Sequence, residues 1–72
     1  MNTEELKEEK RYIIIKVNFD DEEVEWIEVC KSFKEVKSIL RNEGIKRVYE
    51  DDIRIQPNED EDIVYYIEEV TI

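Results

Sequence analysis

Only one stretch of this chain, residues 32–44, sets apolar side chains at helical spacing, and the long apolar runs on both sides of it are β-prone. Phe33, Val36, Ile39 and Leu40 follow at intervals of three, three and one, which aligns them on one stripe of a helix. Ser32 stands at the N-cap with Glu35 three residues on, the spacing of a capping box. Gly44 occupies the place of a left-handed C-terminal cap. A helix of about three turns with one apolar stripe must bury that stripe, and the remainder of the chain offers only strands to receive it. The expected product is a sheet with one helix across a single face.

The first strand is read over residues 11–20. Ile13, Ile15, Val17 and Phe19 fall on one face at period two, and this face is expected to be the core. Tyr12, Ile14, Lys16 and Asn18 form the opposite, amphipathic face. Residues 20–23 make a turn, and residues 24–30 return with Glu25, Ile27 and Val29 alternating against Val24, Trp26, Glu28 and Cys30, so the two strands pair as a hairpin. After the helix, residues 45–50 with Val48 and Tyr49 read as a short strand. Asp51 and Asp52 interrupt it before Ile53, Arg54 and Ile55, giving one bulged strand or two short ones. Pro57, Asn58 and the following acids form a turn, and residues 63–72 form the last strand. Ahead of all this, Thr3 is a fair N-cap for a short, frayed helical turn with Leu6 as its one apolar residue. The expected fold is α+β with the order ββαββ: a mainly antiparallel four-stranded sheet with one helix on one face, spanning residues 11–72 behind a charged segment 1–10.

A chain of 72 residues supports one core, since at this size about 60 % of the unfolded surface is buried. With 40 % hydrophobic residues there is enough apolar material to build it. Cys30 is the one cysteine, so no internal disulfide forms, and a reducing, cytoplasmic compartment fits best. The longest aliphatic run, Ile13 to Ile15, is too short to cross a bilayer. Eleven Ile and no Ala point faintly to an AT-rich genome, that of a bacterium or its phage.

No histidine is present, which removes the commonest general base and metal ligand, and no nucleophile triad, phosphate-cradling glycine loop or Cys cluster can be assembled. Neither enzymatic activity nor a cofactor, metal or small-molecule substrate is expected. The net charge of −10 is unevenly placed: −6 over residues 1–30, +4 over 31–49 and −8 over 50–72. Lys31, Lys34, Lys37, Arg41, Lys46 and Arg47 could gather into a basic patch, but the overall charge opposes a nucleic acid. The acids Asp20, Asp21, Glu22, Glu23, Asp51, Asp52, Glu59, Asp60, Glu61 and Asp62 lack the alternation and central glycine of a calcium loop. Read together they could imitate DNA phosphates and occupy a basic site on a nucleic-acid enzyme, as a phage or mobile-element inhibitor would. Tyr12, Trp26, Tyr65 and Tyr66 are the candidates for a hydrophobic contact surface on the sheet face away from the helix. Both faces of the last strand are apolar, with Val64, Tyr66, Val70 and Ile72 on one side and Ile63, Tyr65 and Ile67 on the other, and one helix covers one face only. The leading expectation is therefore a non-enzymatic protein-interaction domain that pairs with itself, and the DNA mimic is the alternative.

Overall fold

The computed structural model describes residues 9–71. Its elements follow in the order β1 (Lys10–Asn18), β2 (Glu23–Cys30), α1 (Phe33–Asn42), β3 (Arg54–Ile55) and β4 (Ile63–Thr71). All strand pairs are antiparallel and the sheet order is β2-β1-β4-β3, an α+β arrangement with β1 and β4 at the centre. Lys10 opens β1 opposite Thr71, one residue earlier than the strand expected from residue 11. The turn expected over residues 3–8 and the placement of Ile72 lie outside the described residues. Among the described residues no helix is long and apolar enough to cross a membrane.

The helix ends follow from their caps. Ser32 Oγ accepts the Glu35 N–H at 3.3 Å, while the Glu35 carboxylate reaches one residue beyond the usual capping box to accept the Lys31 N–H at 2.8 Å. At the other end Gly44 takes φ +91°, its N–H donates to Arg41 O at 3.0 Å, and the Ile45 N–H donates to Leu40 O at 2.9 Å. This is a Schellman reversal, and it folds Ile45 back beside Leu40 in the core. Residues 45–50 are consequently not the strand that their composition suggested. The Ile45 N–H is committed to the helix end, Ile45 and Val48 are both buried, and the Tyr49 N–H is taken by the Asp52 carboxylate at 2.8 Å. Pairing begins only at Arg54, opposite Tyr66.

The core contains Ile14 from β1, Cys30 from β2, Val36 and Leu40 from α1, Ile45 and Val48 from the loop, and Tyr65 and Ile67 from β4. Register puts Ile14 beside Ile67 and Tyr12 beside Cys30, so the helix covers the Tyr12, Ile14, Lys16 face. The face of Ile13, Ile15 and Val17, expected to be inside, is the one the helix leaves uncovered. Period two assigns residues to a common face without saying which face is covered. Here the short connection from Cys30 to Phe33 carries the chain onto the Cys30 side. Burial also pushes the Cys30 thiol above its ordinary range, with the nearby Glu35 and Glu28 carboxylates adding to the effect.

A Cβ at Gly44 would meet nothing within 4 Å, so replacing this residue strains the backbone alone. Gly44→Ala is expected to lower stability in urea unfolding by about 1 kcal/mol, with Gly44→Asn closer to wild type because asparagine tolerates the left-handed region. Equal losses for the two substitutions would show that the left-handed turn is not what fixes this helix end.

Candidate interaction face

On the uncovered side the register of the sheet stacks apolar side chains in lateral rows. Val29 lies beside Ile13; Ile27 beside Ile15 and then Tyr66; Val24 beside Val17, next to which Val64 on β4 is itself buried. Val70 extends the patch next to Arg11. The outer row on β2 is the most open, with Val24 52 %, Ile27 59 % and Val29 62 % exposed, and Phe19 follows in the turn at 49 %. Charged side chains enter this face at Arg11, Glu68 and Arg54, and Arg11 is paired with Glu9 at 3.0 Å, so these charges cancel in a chain of net charge −10.

The four aromatic candidates do not form one surface. Tyr66 lies on the open face, whereas Tyr12, Trp26 and Tyr65 lie under or beside the helix, a correction to their expected grouping. Tyr65 is 3 % exposed, and Tyr12 packs edge-on against Phe33 at 5.5 Å between centroids. Adjacent residues on β4 point to opposite faces, so Tyr65 and Tyr66 cannot share one. The aliphatic rows on β1 and β2 therefore provide most of the contact area, which a search for aromatic anchors passes over.

Tyr65 has a different role. Its hydroxyl donates to Glu43 Oε1 at 2.8 Å, and Lys16 Nζ donates to the same oxygen at 2.8 Å while lying 5.6 Å from the Tyr65 ring centroid. Glu43 is the helix C-cap, so this cluster fastens the helix end to the two central strands. The hydrogen bond from Lys16, then that from Tyr65, holds the Glu43 carboxyl below its usual range. The same contact raises Lys16, and burial followed by the Glu43 hydrogen bond raises Tyr65.

The charged candidates separate into three places. Asp20, Asp60, Glu61 and Asp62 meet Asn18 and Ile63 around one open cleft, where the Phe19 N–H donates to Asp62 O at 2.9 Å and joins the two acidic turns. Asn18 Oδ1 organises the first turn by accepting the N–H groups of Asp20 and Asp21. Glu22 at φ +54° completes that turn, Glu23 begins β2, and Glu59 belongs to the second acidic turn. Asp51 and Asp52 stand apart in the loop before β3, where Asp52 serves the Tyr49 turn. Among the described residues no group of three or more acids, Cys or His is arranged to hold a metal ion. Of the basic residues, Lys37, Arg41, Lys46 and Arg47 converge on one cleft, and Lys31 and Lys34 do not line it.

Comparison with protein families, curated proteins and solved structures finds no match, so geometry alone carries the functional reading.

The depressed Glu43 carboxyl gives stability a defined pH dependence. Because its folded pKa lies below the unfolded one, its contribution is complete above the unfolded value of about 4.3 and is lost as pH falls through the folded value. Glu43→Gln is expected to lower stability at pH 7 by about 1–2 kcal/mol, the worth of hydrogen bonds to a charged group. The difference from wild type should shrink on acidification. A pH-independent difference in urea midpoints would show that Glu43 acts by shape rather than charge.

Proposed function

We propose that this chain is a non-enzymatic protein-interaction domain that self-associates through the open face of its sheet. The supporting observation is the apolar face that the helix leaves uncovered, open along β2 and half-buried along β1 and most of β4. Three strands at about 4.8 Å spacing and seven residues at about 3.3 Å give a footprint of roughly 300 Å² in projection. Corrugation adds to that figure, and the largest apolar patch on a typical monomer is about 300–600 Å² and is often functional.

Charge favours a second copy of the chain as the occupant. Two molecules of net charge −10 repel one another, and the open face, whose few charges balance, is where they can meet with the fewest opposing carboxylates. A two-fold contact uses the same patch on both copies. Edge pairing along β2 is the poorer route, because Glu23, Glu25 and Glu28 line that strand and a bulge lies between Trp26 and Val24. The buried, unpaired Cys30 fits residence in a reducing, cytoplasmic compartment.

A second reading draws on the union of the acidic turns around Asp20 and Asp60: an inhibitor whose carboxylates imitate DNA phosphates and fill a basic site on a nucleic-acid enzyme. Salt separates the two. Light scattering at two protein concentrations and at 0.1 and 0.5 M salt is expected to give twice the 8.8 kDa chain mass, with association at least as strong at high salt because repulsion is screened. Ile27→Glu should yield a monomer with an unchanged circular dichroism spectrum. A monomer under every condition would overturn the self-association reading and leave the acidic turns as the leading candidate surface.

A further inference from the structure

We propose that the cleft at the helix exit binds a compact phosphoryl anion, a role separate from self-association. The cleft has a volume of ≈ 270 Å³, and Lys37, Arg41, Lys46 and Arg47 bring four positive charges to it. Their convergence is unusual for this chain, in which 21 acids outnumber 11 bases. The ion pairs among the described residues use Lys10, Arg11 and Lys16, and none involves these four cations. All four are exposed, so none was placed here to complete the core.

The loop residues that line the cleft also carry backbone donors. Ile45 and Tyr49 have their N–H groups engaged, by Leu40 O and the Asp52 carboxylate, whereas the N–H groups of Lys46, Arg47 and Val48 between them have no acceptor among the described residues. The loop is nevertheless anchored, because Ile45 and Val48 are buried beneath it. Lys37 lines the cleft, but its Nζ lies 5.5 Å over the Phe33 ring, which is not part of the lining, so its ammonium joins an anion there by a rotamer change. Cations and free N–H groups held around an anchored loop make an anion site prepared before the ligand arrives. The helix C-terminus does little to oppose an anion, since the Gly44 reversal already satisfies the carbonyls of Leu40 and Arg41.

Size and charge select the class of ligand. A cleft of ≈ 270 Å³ accommodates one phosphoryl group with a small substituent. A long polyanion would in addition meet the repulsion of the remaining surface, whose net charge without these four cations is −14. Two guanidinium groups suit the oxygens of a phosphate by paired hydrogen bonds, with two ammonium groups as point charges. Tyr49, 60 % exposed on the cleft wall, offers a ring to a base if the phosphoryl group belongs to a nucleotide.

The test is an amide NMR titration of the intact chain with sodium phosphate and with AMP, each at ionic strength matched with sodium chloride. Saturable shifts centred on the Lys46, Arg47 and Val48 amides are expected. The double variant Arg41→Gln, Arg47→Gln should weaken them by at least about tenfold, as loss of charge-assisted hydrogen bonds implies. The pair Lys31→Gln, Lys34→Gln, equal in charge change but outside the cleft, should leave them unaltered. Tighter binding of AMP would support the cleft and assign a nucleotide as the source, and equal binding would support it with the phosphoryl group alone as the determinant. Absence of saturation with both probes, or equal loss in the two double variants, would overturn the proposal. So would a glutamate hexapeptide that saturates the same amides more tightly than either probe, since the cleft would then serve an acidic protein segment.

Discussion

An ammonium group at the margin of an apolar layer needs an acceptor, and the contact of Lys16 with Glu43 at 2.8 Å meets that need on the covered side of this sheet. The side chains of both groups are largely withdrawn from water, 23 % and 27 % exposed, so the pair is screened less than a surface salt bridge. The shared oxygen also accepts from Tyr65, which draws in β4. Glu43 occupies this position because it caps a helix ended by Gly44, and Gly44 in turn sends Ile45 into the core. The charged cluster, the helix end and the loop to Val48 are one mechanical unit, and the other features of the molecule are arranged around it.

The arrangement has a consequence for the opposite side. A helix laid on Ile13, Ile15 and Val17 would have met on β1 only Arg11, at the start of the strand, yet the helix lies on the face that contains Lys16 in mid-strand. The more uniformly aliphatic face is left outside. Each aliphatic side chain taken fully out of water contributes on the order of 1.5–3 kcal/mol, so a row of Val24, Ile27 and Val29 left a little over half exposed holds back roughly a few kcal/mol, an appreciable part of the net stability of a small domain. A chain of this size has little margin, and a contact across that face is where the missing burial can be recovered.

Local signals made much of this legible. Ser32, Glu35 and Gly44 mark the helix through hydrogen bonds that span a few residues, and the hairpin of β1 with β2 follows from alternation around an acidic turn. The covered face was not legible, because Lys16 looks solvent-directed until Glu43, 27 residues away, is brought against it. The aromatic candidates failed for a related reason: size and polarity alone do not separate Tyr65, whose hydroxyl is used inside, from Tyr66 on the outer face. Lys37 and Arg41 are four apart on the helix and were readable as neighbours. Lys46 and Arg47 join them only through the reversal at Gly44, which also removes the strand that residues 45–50 suggested.

Charge is zoned in three dimensions much as it is along the chain. The acidic turns of residues 19–22 and 59–62 converge at one place, the cations of residues 37–47 line another, and the apolar face carries little of either sign. That zoning limits the assemblies available to the molecule. A two-fold contact consumes the open face on both partners and leaves a pair with twice the negative charge. Growth beyond two would have to use surfaces dominated by carboxylates, or the β2 edge with its Glu23, Glu25 and Glu28. The β3 edge is only two residues long and offers little ladder to extend. The same acids that oppose compact packing of so small a chain therefore act against open-ended association, and the contact proposed through the aliphatic face would close at the dimer.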